Sequence, residues 1–337
     1  MDLNRIIISR TDSIGDVILT LPIAGVLKEN FPSLKVFFLG KDYTRDIVES
    51  SMHIDQFLNW DEIQNFDFEK QLETFNAIEA NVIIHVFPVA QIAYLAKKTN
   101  IPVRIGTTGR LYHYFTCNKL VPISRRNSEL HEAELNLKLL KPILKNVDIE
   151  LDRLDRYYGL TAIESLPQNV QKQLSNDKFN LILHPKSKGS AREWGLKNFG
   201  HLIEILPKEK FRIFITGTED EGKLIKNDLL VKFPEVIDMT GKLSLKELIS
   251  FIKATDGLIA ASTGPLHIAA ALGKVTLGIF PPIRPMHPGR WAPLGPKASY
   301  VVENKECSNC RKEDHCECME NIQPVAVKNK LLSLMHG

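Results

Sequence analysis

Short apolar, β-branched segments alternate with helical patterns along the whole chain, and the alternation begins twice. In the first half the strand-like segments are NRIIISR, LKVFFLG, NVIIHVFP and VRIGTT. In the second half they are FNLILHP, FRIFITG, VIDMTG, GLIAAS and VTLGIF. Apolar strands separated by helices are typical of parallel sheets that are covered on both faces. The sequence therefore predicts an α/β protein with two doubly wound, Rossmann-like domains that bind ligands at the carboxyl ends of their strands.

The chain has 337 residues, which is long for one compact core, so two domains are expected. We place the first domain at residues 1–160 and the second at residues 175–337, with a final helix that can pack back on the first domain. The formal net charge of +3 gives no reason to expect a nucleic-acid binder. No apolar run approaches the ~20 residues that cross a bilayer, and the N-terminus lacks the features of a signal peptide, so we expect a cytoplasmic protein.

Two common nucleotide-binding motifs are missing from the sequence. No Gly-x-Gly-x-x-Gly follows the first strand, and no Gly-Lys-Ser/Thr phosphate loop is present. The sequence therefore disfavours a dinucleotide oxidoreductase and a P-loop ATPase.

The segment Gly257–Phe280 predicts a strand, an abrupt turn, an Ala-rich helix and a second strand. Ser262 or Thr263 can cap the start of this helix, and Pro265 suits its first position. Gly273 can end it. The free N–H groups of a helix that starts beyond the carboxyl end of a strand can bind a phosphate or pyrophosphate. The turn is therefore a candidate ligand site.

A carboxylate follows the first strand, in the segment RTDSIGD, at the point where the next helix should begin. Capping a helix is the ordinary role of an Asp at such a position. A carboxylate there can also accept a proton from a hydroxyl group whose oxygen attacks a substrate, which is general-base catalysis. Both roles remain open for Asp16.

The loop PKSKGSAREW after the first strand of the second half carries three cations, which are Lys186, Lys188 and Arg192. A solvated surface loop and an anion clamp both fit this composition. As a clamp residue, Arg192 could bind phosphate through two hydrogen bonds. An acid after FRIFITG, such as Glu221, could accept hydrogen bonds from ribose hydroxyls, although exposed loop acids are ordinary. His267 could reach a bound phosphate or simply brace the turn.

Four of the five cysteines lie within CSNCRKEDHCEC, and they are Cys307, Cys310, Cys316 and Cys318. Four thiols so close together could hold Zn²⁺. The second pair is spaced Cys-x-Cys, which is less usual than Cys-x-x-Cys, and disulfides are not expected in a reducing cytoplasm. A loop of reduced or redox-labile thiols is therefore favoured, with zinc as the weaker alternative.

Five segments, in the same order along nearly the whole chain, resemble motifs of the heptosyltransferase family, the ADP-heptose:lipopolysaccharide transferases. They are IIISRTDSIGDVILTLP, HPKSKGSAREW, TGKLSLKELI, STGPLHIAAALGKVTLGIF and FPPIRPMHPGRWAPLG. The resemblance implies a GT-B architecture, with an acceptor-binding first domain that faces a donor-binding second domain across a cleft. It implies an inverting transfer of heptose from ADP-heptose to the lipopolysaccharide inner core, without a required cofactor or metal.

The resemblance also implies roles for individual residues. Asp16 would be the catalytic base, and Arg192 would bind a phosphate where Lys is usual in the family. Glu221 would lie near the ribose and Leu243 beside the nucleobase. The other donor-binding residues would be Ser187, Ser262, Thr263, Gly264 and His267.

Ser262 departs from the family pattern, which has Asp before Thr-Gly. A Ser hydroxyl offers no charged, two-oxygen acceptor to a donor sugar, so the identity of the sugar remains open. The alternatives are a transferase of another sugar in cell-envelope glycan synthesis and a nucleotide-sugar-binding protein without turnover.

A lipid-linked oligosaccharide acceptor implies peripheral contact with the inner face of the inner membrane. The aromatic and basic stretch from Lys97 to Arg126 is the candidate docking segment, although a mixed surface with buried aromatics also fits it. Its relevant residues are Arg104, Arg110, Tyr112, Tyr114, Phe115, Arg125 and Arg126.

Overall fold

A computed structural model describes residues 3–125, 128–145, 147, 149–303 and 316–336 of the chain. The protein divides into two compact units, Met1–Ala162 and Ile163–Gly337. Each unit contains one six-stranded parallel sheet whose strands alternate with helices along the chain. The predicted α/β class and the two doubly wound units are therefore confirmed.

The first unit contains six strands and eight α-helices among its described residues. The strands are β1 (Arg5–Ser9), β2 (Lys35–Gly40), β3 (Gln56–Asn59), β4 (Val82–His85), β5 (Val103–Thr107) and β6 (Lys119–Val121). The helices are α1 (Ile14–Ile18), α2 (Leu21–Asn30), α3 (Arg45–Glu49), α4 (Trp60–Ile63), α5 (Phe68–Ile78), α6 (Ala90–Lys98), α7 (His113–Thr116) and α8 (Glu132–Leu137).

The strand order of the first sheet is β3-β2-β1-β4-β5-β6, and all neighbouring strands are parallel. The chain moves outward from β1 to β3 and then returns to the other side of β1 to form β4. Ser9 on β1 lies opposite His85 on β4. The order reverses between these two strands, and ligands of such sheets bind beyond the carboxyl ends at the reversal.

The second unit repeats this plan. Its strands are β7 (Phe179–His184), β8 (Phe211–Ile215), β9 (Ile237–Asp238), β10 (Gly257–Ala261), β11 (Val275–Phe280) and β12 (Ala298–Val302). Its helices are α9 (Gln168–Gln171), α10 (Leu196–Ile205), α11 (Glu219–Ile225), α12 (Leu245–Ala254), α13 (Gly264–Ala271), α14 (Pro288–Trp291), α15 (Glu317–Glu320) and α16 (Pro324–His336). The sheet order is β12-β11-β10-β7-β8-β9, so this sheet reverses between β7 and β10.

The central strands are apolar because helices cover them on both faces. Ile6, Ile7 and Ile8 of β1 have no exposed surface. In the second unit, Trp194 is equally buried and joins a cluster with the strand residues Leu183 and Ile259. Burying side chains of this size stabilises each unit by about 1.5–3 kcal/mol per residue.

The segment after α8 stays attached to the first unit. Gly25 on α2 packs so closely on Tyr157 that any side chain at Gly25 would overlap the Tyr157 backbone. The Tyr157 hydroxyl donates to Glu29 Oε2 at 2.7 Å, and the N–H of Met52 donates to the Gly159 carbonyl at 2.8 Å. These contacts hold the chain against the first unit almost to the boundary.

The final helix, α16, packs on α10, β11 and β12 of the second unit. Val327 and Leu331 of this helix are buried in that unit's core. The structure groups this helix with the second unit, and its return to the first domain stays a prediction. Among the described residues, no helix is both long enough and apolar enough to cross a membrane.

Candidate functional site

The loop after β1 brings two aspartates to the reversal point of the first sheet. Arg10 follows β1 directly, and its backbone N–H donates to the Leu39 carbonyl at 3.0 Å. Helix α1 has Ser13 as its N-cap residue, and Asp16 lies in its first turn. Asp16 is therefore not the N-cap, and its carboxylate instead receives bonds from the Ser13 hydroxyl and from Arg10.

The guanidinium of Arg10 is buried and contacts three carboxylates. Its Nε donates to Asp12 Oδ1 at 2.6 Å, and its Nη1 donates to Glu132 Oε1 at 3.1 Å. Its Nη2 donates to Asp16 Oδ1. Burial alone would lower the pKa of Arg10, but the three carboxylates, Asp16 foremost, raise it above its usual value. Arg10 therefore stays charged and fixes the position of the Asp16 carboxylate.

Asp12 shares the Arg10 guanidinium with Asp16. Burial raises the pKa of Asp12 to about 6; Arg10 opposes this rise and the charge of Asp16 adds to it. The hydroxyl of Tyr43 donates to the Asp12 carbonyl at 2.6 Å and holds the loop. Asp12 therefore takes up a proton at mildly acidic pH, next to the proposed base.

Glu132, the first residue of α8, is fully buried and was missed by sequence reasoning. Besides Arg10, the Nε of Arg125 donates to Glu132 Oε1 at 2.8 Å. Asn136, one helical turn later, accepts a 3.3 Å bond from Arg10 Nη1. One signal was available: these two polar residues lie on the same helical face as Leu135 and Leu139, which is otherwise apolar.

In the second unit, the predicted donor residues follow four neighbouring strands, β10, β7, β8 and β9. Parallel strands end at the same edge of a sheet, so these residues lie along one edge. Ser187 and Arg192 follow β7, Glu221 follows β8, Leu243 follows β9, and Ser262, Thr263, Gly264 and His267 follow β10.

Glu193 organises the loop after β7. Its Oε1 accepts from the N–H and the hydroxyl of Ser187 at 3.0 and 3.2 Å, and its Oε2 lies 2.5 Å from Lys186 Nζ. The sequence suggests Lys186 as one of three cations of an anion clamp. In the structure its charge is balanced by the Glu193 carboxylate of the same loop. Lys188 is exposed, and Arg192 is half-buried.

The turn after β10 has the form that the sequence predicts, shifted by one residue. Thr263 is the N-cap of α13, Gly264 is its first residue and Pro265 its second. The Thr263 side chain does not cap the helix, and its buried Oγ1 has no hydrogen-bond partner among the described residues. Because buried hydroxyls are nearly always paired, this orphaned oxygen at a helix start fits a site that binds a phosphate.

Helix α13 ends at Ala271, and Gly273 follows its C-cap residue Leu272 as the stop that the sequence predicts. Gly273 has a φ of +69°, and its N–H donates to the Ala270 carbonyl at 2.9 Å. The N–H of Lys274 donates to the Ala269 carbonyl at 3.0 Å. These two bonds form a Schellman motif, which only a residue in the left-handed region can close without strain.

Glu221 has a structural role in addition to its predicted one. Its Oε2 accepts from the Thr218 N–H at 2.8 Å, and its own N–H donates to Thr218 Oγ1 at 3.3 Å, which makes a capping box for α11. Nearby, His184 Nδ1 lies 2.9 Å from Thr216 Oγ1. Burial lowers the pKa of His184 to about 4, although Glu221 and Glu193 oppose the shift. The imidazole is therefore neutral at pH 7.

Three further predicted residues surround the same edge. Leu243 is half-buried immediately before α12, whose capping box of Ser244 and Glu247 confirms the sequence prediction. His267 is buried on α13, and Ser262 is half-buried between β10 and the helix cap.

The cysteine cluster is only partly described. Cys316 and Cys318 are buried in the core of the second unit, whereas Cys307 and Cys310 lie outside the described residues. Zinc binding by these four thiols stays a prediction. Within the described ranges, no group of three His, Cys, Asp or Glu residues is placed to hold a metal ion.

Comparison with known proteins gives a consistent result. Residues 73–320 match the model of glycosyltransferase family 9 (heptosyltransferase). The chain is 25% identical over 340 residues to a Haemophilus influenzae protein named as a glycosyltransferase, covering 98% of this chain and 96% of that protein. It is 22% identical over 284 residues to lipopolysaccharide heptosyltransferase 3 of Escherichia coli, covering 79% and 80% of the two chains. Its fold matches that of E. coli ADP-heptose lps heptosyltransferase II with a TM-score of 0.76, at 16% identity and 99% coverage of each chain, which assigns the GT-B class.

Proposed function

The chain belongs to glycosyltransferase family 9, the heptosyltransferase family, and from this premise we propose that it transfers heptose from ADP-heptose to the lipopolysaccharide inner core. The reaction inverts the configuration of the anomeric carbon, and it takes place on the cytoplasmic side of the inner membrane. The donor in the name of the E. coli structural relative supports the choice of ADP-heptose. One observation carries the proposal furthest: in the first unit Asp16, and in the second unit Arg192 and the Thr263 turn, follow the strands between which the strand order reverses.

On the acceptor side, Asp16 is the base. As the acceptor hydroxyl oxygen forms its bond to the anomeric carbon, Asp16 takes the hydroxyl proton. The bond from that carbon to the diphosphate oxygen breaks, and its electron pair leaves with ADP. Arg10 supports this role because it holds the Asp16 carboxylate in one orientation before substrate arrives.

On the donor side, the turn at Thr263 and Gly264 binds the diphosphate. The free N–H groups at the start of α13 and the Arg192 guanidinium stabilise the negative charge that grows on the leaving diphosphate. The orphaned Thr263 Oγ1 supports this assignment because a phosphate oxygen would give it a partner. Glu221 lies near the ribose and Leu243 near the base, while Ser187 and His267 complete the site. No metal is required by this scheme.

A donor screen tests the proposal. Thermal unfolding and sugar-nucleotide hydrolysis are measured with ADP-, GDP- and UDP-sugars, each with and without EDTA. ADP-heptose should raise the melting temperature most and should be turned over, and EDTA should have no effect. Stabilisation by a UDP- or GDP-sugar alone would reject ADP-heptose as the donor, and rescue of an EDTA-treated enzyme by Mg²⁺ would reject the metal-free scheme.

Ser262 favours a second candidate, the transfer of another sugar. At this position a hydroxyl stands where the family has a carboxylate, so one charged acceptor for sugar hydroxyls is missing. A hexose or N-acetylhexosamine donor would then be preferred in the same screen. A nucleotide-sugar-binding protein without turnover would show stabilisation by a donor but neither hydrolysis nor transfer.

A further inference from the structure

Two exposed aromatic residues, Tyr43 and Phe87, flank the loop that carries Asp16. Tyr43 follows β2 and is 52% exposed, whereas Phe87 follows β4 and is 36% exposed. Strands β2 and β4 are the two neighbours of β1, so these residues lie on opposite sides of the loop after β1. Neighbouring strands are about 4.8 Å apart, which separates the ends of β2 and β4 by roughly 10 Å. One sugar ring can fit between two aromatic side chains at that spacing.

Hydrogen bonds hold both aromatic residues against this loop. The Tyr43 hydroxyl donates to the Asp12 carbonyl at 2.6 Å, and the Phe87 N–H donates to the Ser9 carbonyl at 3.1 Å. Burial raises the pKa of Tyr43, and the charges of Asp12 and Asp16 raise it further, so its hydroxyl lies near both carboxylates. A group bound between the two rings would therefore lie beside the Asp16 carboxylate.

Polar side chains without partners lie at the same edge of the sheet. Ser9 ends β1 and His85 ends β4, and the two residues are opposite each other in the sheet register. Neither has any exposed surface. Among the described residues, Ser9 Oγ and both ring nitrogens of His85 have no hydrogen-bond partner. Because buried polar atoms are rarely left unpaired, these three atoms indicate a ligand that supplies hydrogen bonds.

The chemistry of this edge favours a sugar over an anion. Burial, with smaller contributions from His113 and Arg104, lowers the pKa of His85 to about 3, so its imidazole is neutral at pH 7. A neutral imidazole and a Ser hydroxyl each donate one hydrogen bond and accept another, which matches the hydroxyl groups of a sugar. The faces of aromatic rings are partly negative, so they attract the partly positive C–H groups on the face of a sugar ring.

We propose that Tyr43, Phe87, Ser9 and His85 form the subsite for the acceptor sugar whose hydroxyl reacts at Asp16. The subsite rests on the proposed function and deepens it, because it assigns the residues that recognise the acceptor. The two aromatic rings pack on the sugar ring, and Ser9 and His85 pair with hydroxyls other than the reacting one. Ser9 and His85 are enclosed, so the exposed residue Phe87 moves aside to admit these hydroxyls.

Binding of a deacylated lipopolysaccharide inner-core oligosaccharide, without donor, tests the aromatic part of the subsite. Saturation-transfer NMR titrations with the full chain measure its affinity. Tyr43→Ala and Phe87→Ala should each weaken binding about three- to tenfold, whereas Tyr43→Phe keeps the ring and should stay within about twofold of the parent. The matched control is Tyr300→Ala, which removes a 41% exposed aromatic side chain from the second unit and should bind as the parent does.

His85→Leu distinguishes a ligand-binding role from a structural one. Because the His85 nitrogens have no partner among the described residues, an apolar replacement should keep or raise the melting temperature, yet it should weaken oligosaccharide binding about tenfold. The matched control is His184→Leu, which removes a buried imidazole that lies 2.9 Å from Thr216 Oγ1 and should lower the melting temperature. An equal fall for both variants would show that His85 is paired within the protein, and the polar part of the subsite would be wrong.

Transfer kinetics separate the subsite from the proposed reaction. Tyr43→Ala and Phe87→Ala should raise the KM for the oligosaccharide more than they lower kcat, and ADP binding by calorimetry should equal that of the parent. Parental oligosaccharide binding by both variants, while transfer from ADP-heptose proceeds, would overturn the subsite and leave the proposed function intact. If the parent transfers nothing from ADP-heptose but its oligosaccharide binding depends on these residues, the proposed donor would be rejected and the subsite supported.

Discussion

The guanidinium of Arg10 and the carboxylate of Glu132 form an ion pair inside the first unit, with Nη1 and Oε1 3.1 Å apart. Their side chains are 3% and 0% exposed, although 122 positions separate them in the sequence. The pair connects α8 to the loop that carries Asp16. It therefore anchors the proposed base to the body of the unit.

Glu132→Gln should destabilise the first unit strongly. The substitution leaves the buried guanidinium of Arg10 and the half-buried guanidinium of Arg125 facing a neutral amide, and the loss of one partner from a buried ion pair costs about 3 kcal/mol or more. Urea unfolding of the full chain measures the change. Glu150→Gln, in the exposed pair with Arg153, is the matched control and should cost less than about 1 kcal/mol. Similar costs for the two variants would mean that the buried pair contributes no more than a surface pair.

Asp16→Asn should fold normally and bind donor but lose roughly two to four orders of magnitude in kcat, because no group then accepts the acceptor proton. Steady-state transfer kinetics and donor binding by calorimetry measure the two effects. Asp12→Asn is the control, since it touches the same guanidinium without acting as the base, and its kcat should fall less than about tenfold. Near-parental turnover of Asp16→Asn would leave Asp16 with a structural role alone.

Asp12 should make stability depend on pH between about 4 and 6. Its pKa in the folded chain is about 6, raised from the ordinary value of 3.8. The folded chain therefore binds a proton on Asp12 more tightly than the unfolded chain does. The stability that this proton contributes is fully present below about pH 4 and is lost as pH rises through 6. Relative to Asp12→Asn, the parent's free energy of unfolding should fall by about 1–3 kcal/mol from pH 4 to pH 7.

Urea titrations at several pH values across this window measure the slope for both proteins. Asp152→Asn changes an exposed acid of the same unit and should keep the parental slope. If Asp12→Asn also kept the parental slope, the proton that the folded state takes up would not be bound by Asp12.

Arg192→Ala should weaken ADP binding by about 1.5–3 kcal/mol, the range for hydrogen bonds to a charged group. Calorimetry with ADP and with adenosine separates phosphate contacts from base contacts, and adenosine should bind the variant and the parent alike. Lys197→Ala removes a neighbouring exposed cation and should leave ADP binding unchanged. An equal loss for adenosine would place Arg192 away from the diphosphate.

Ser262→Asp tests which donor sugar the site selects. The new carboxylate can accept two charged hydrogen bonds from sugar hydroxyls, worth about 1.5–3 kcal/mol, or roughly ten- to a hundredfold in donor preference. If the native donor is not heptose, relative kcat/KM should shift towards ADP-heptose. If the parent already uses ADP-heptose efficiently and Ser262→Asp impairs that activity, a donor other than ADP-heptose would be excluded.

Local signals in the sequence predict local structure well in this chain. The capping box of Ser244 and Glu247 and the Schellman ending at Gly273 involve residues within a few positions of one another, so spacing alone reveals them. The Arg10–Glu132 pair joins distant segments, and no local pattern specifies a partner at that separation. The predicted donor residues could be assigned to one edge because parallel strands all end there.

The central strands were predicted, but β3, β6 and β12 were not. These three lie at sheet edges, where one side of the strand lacks a neighbour. Their sequences, QFLN, KLV and ASYVV, are short and include exposed or half-buried residues. An edge strand need not be apolar throughout, so the pattern that marks a doubly covered strand is absent from it.

Each of the two sheets is formed by one continuous stretch of the chain, on either side of the boundary after Ala162, and is therefore encoded by one continuous segment of the gene. Asp16 and its ion-pair partner Arg10 are encoded in the first segment, and the Thr263 turn is encoded in the second. Recombination near the boundary can therefore replace the second unit, which we propose selects the sugar. The proposed base Asp16 and the residues that hold it stay together in the unchanged first unit. Under such inheritance, a serine at position 262 can arise and be selected without any compensating change around Asp16.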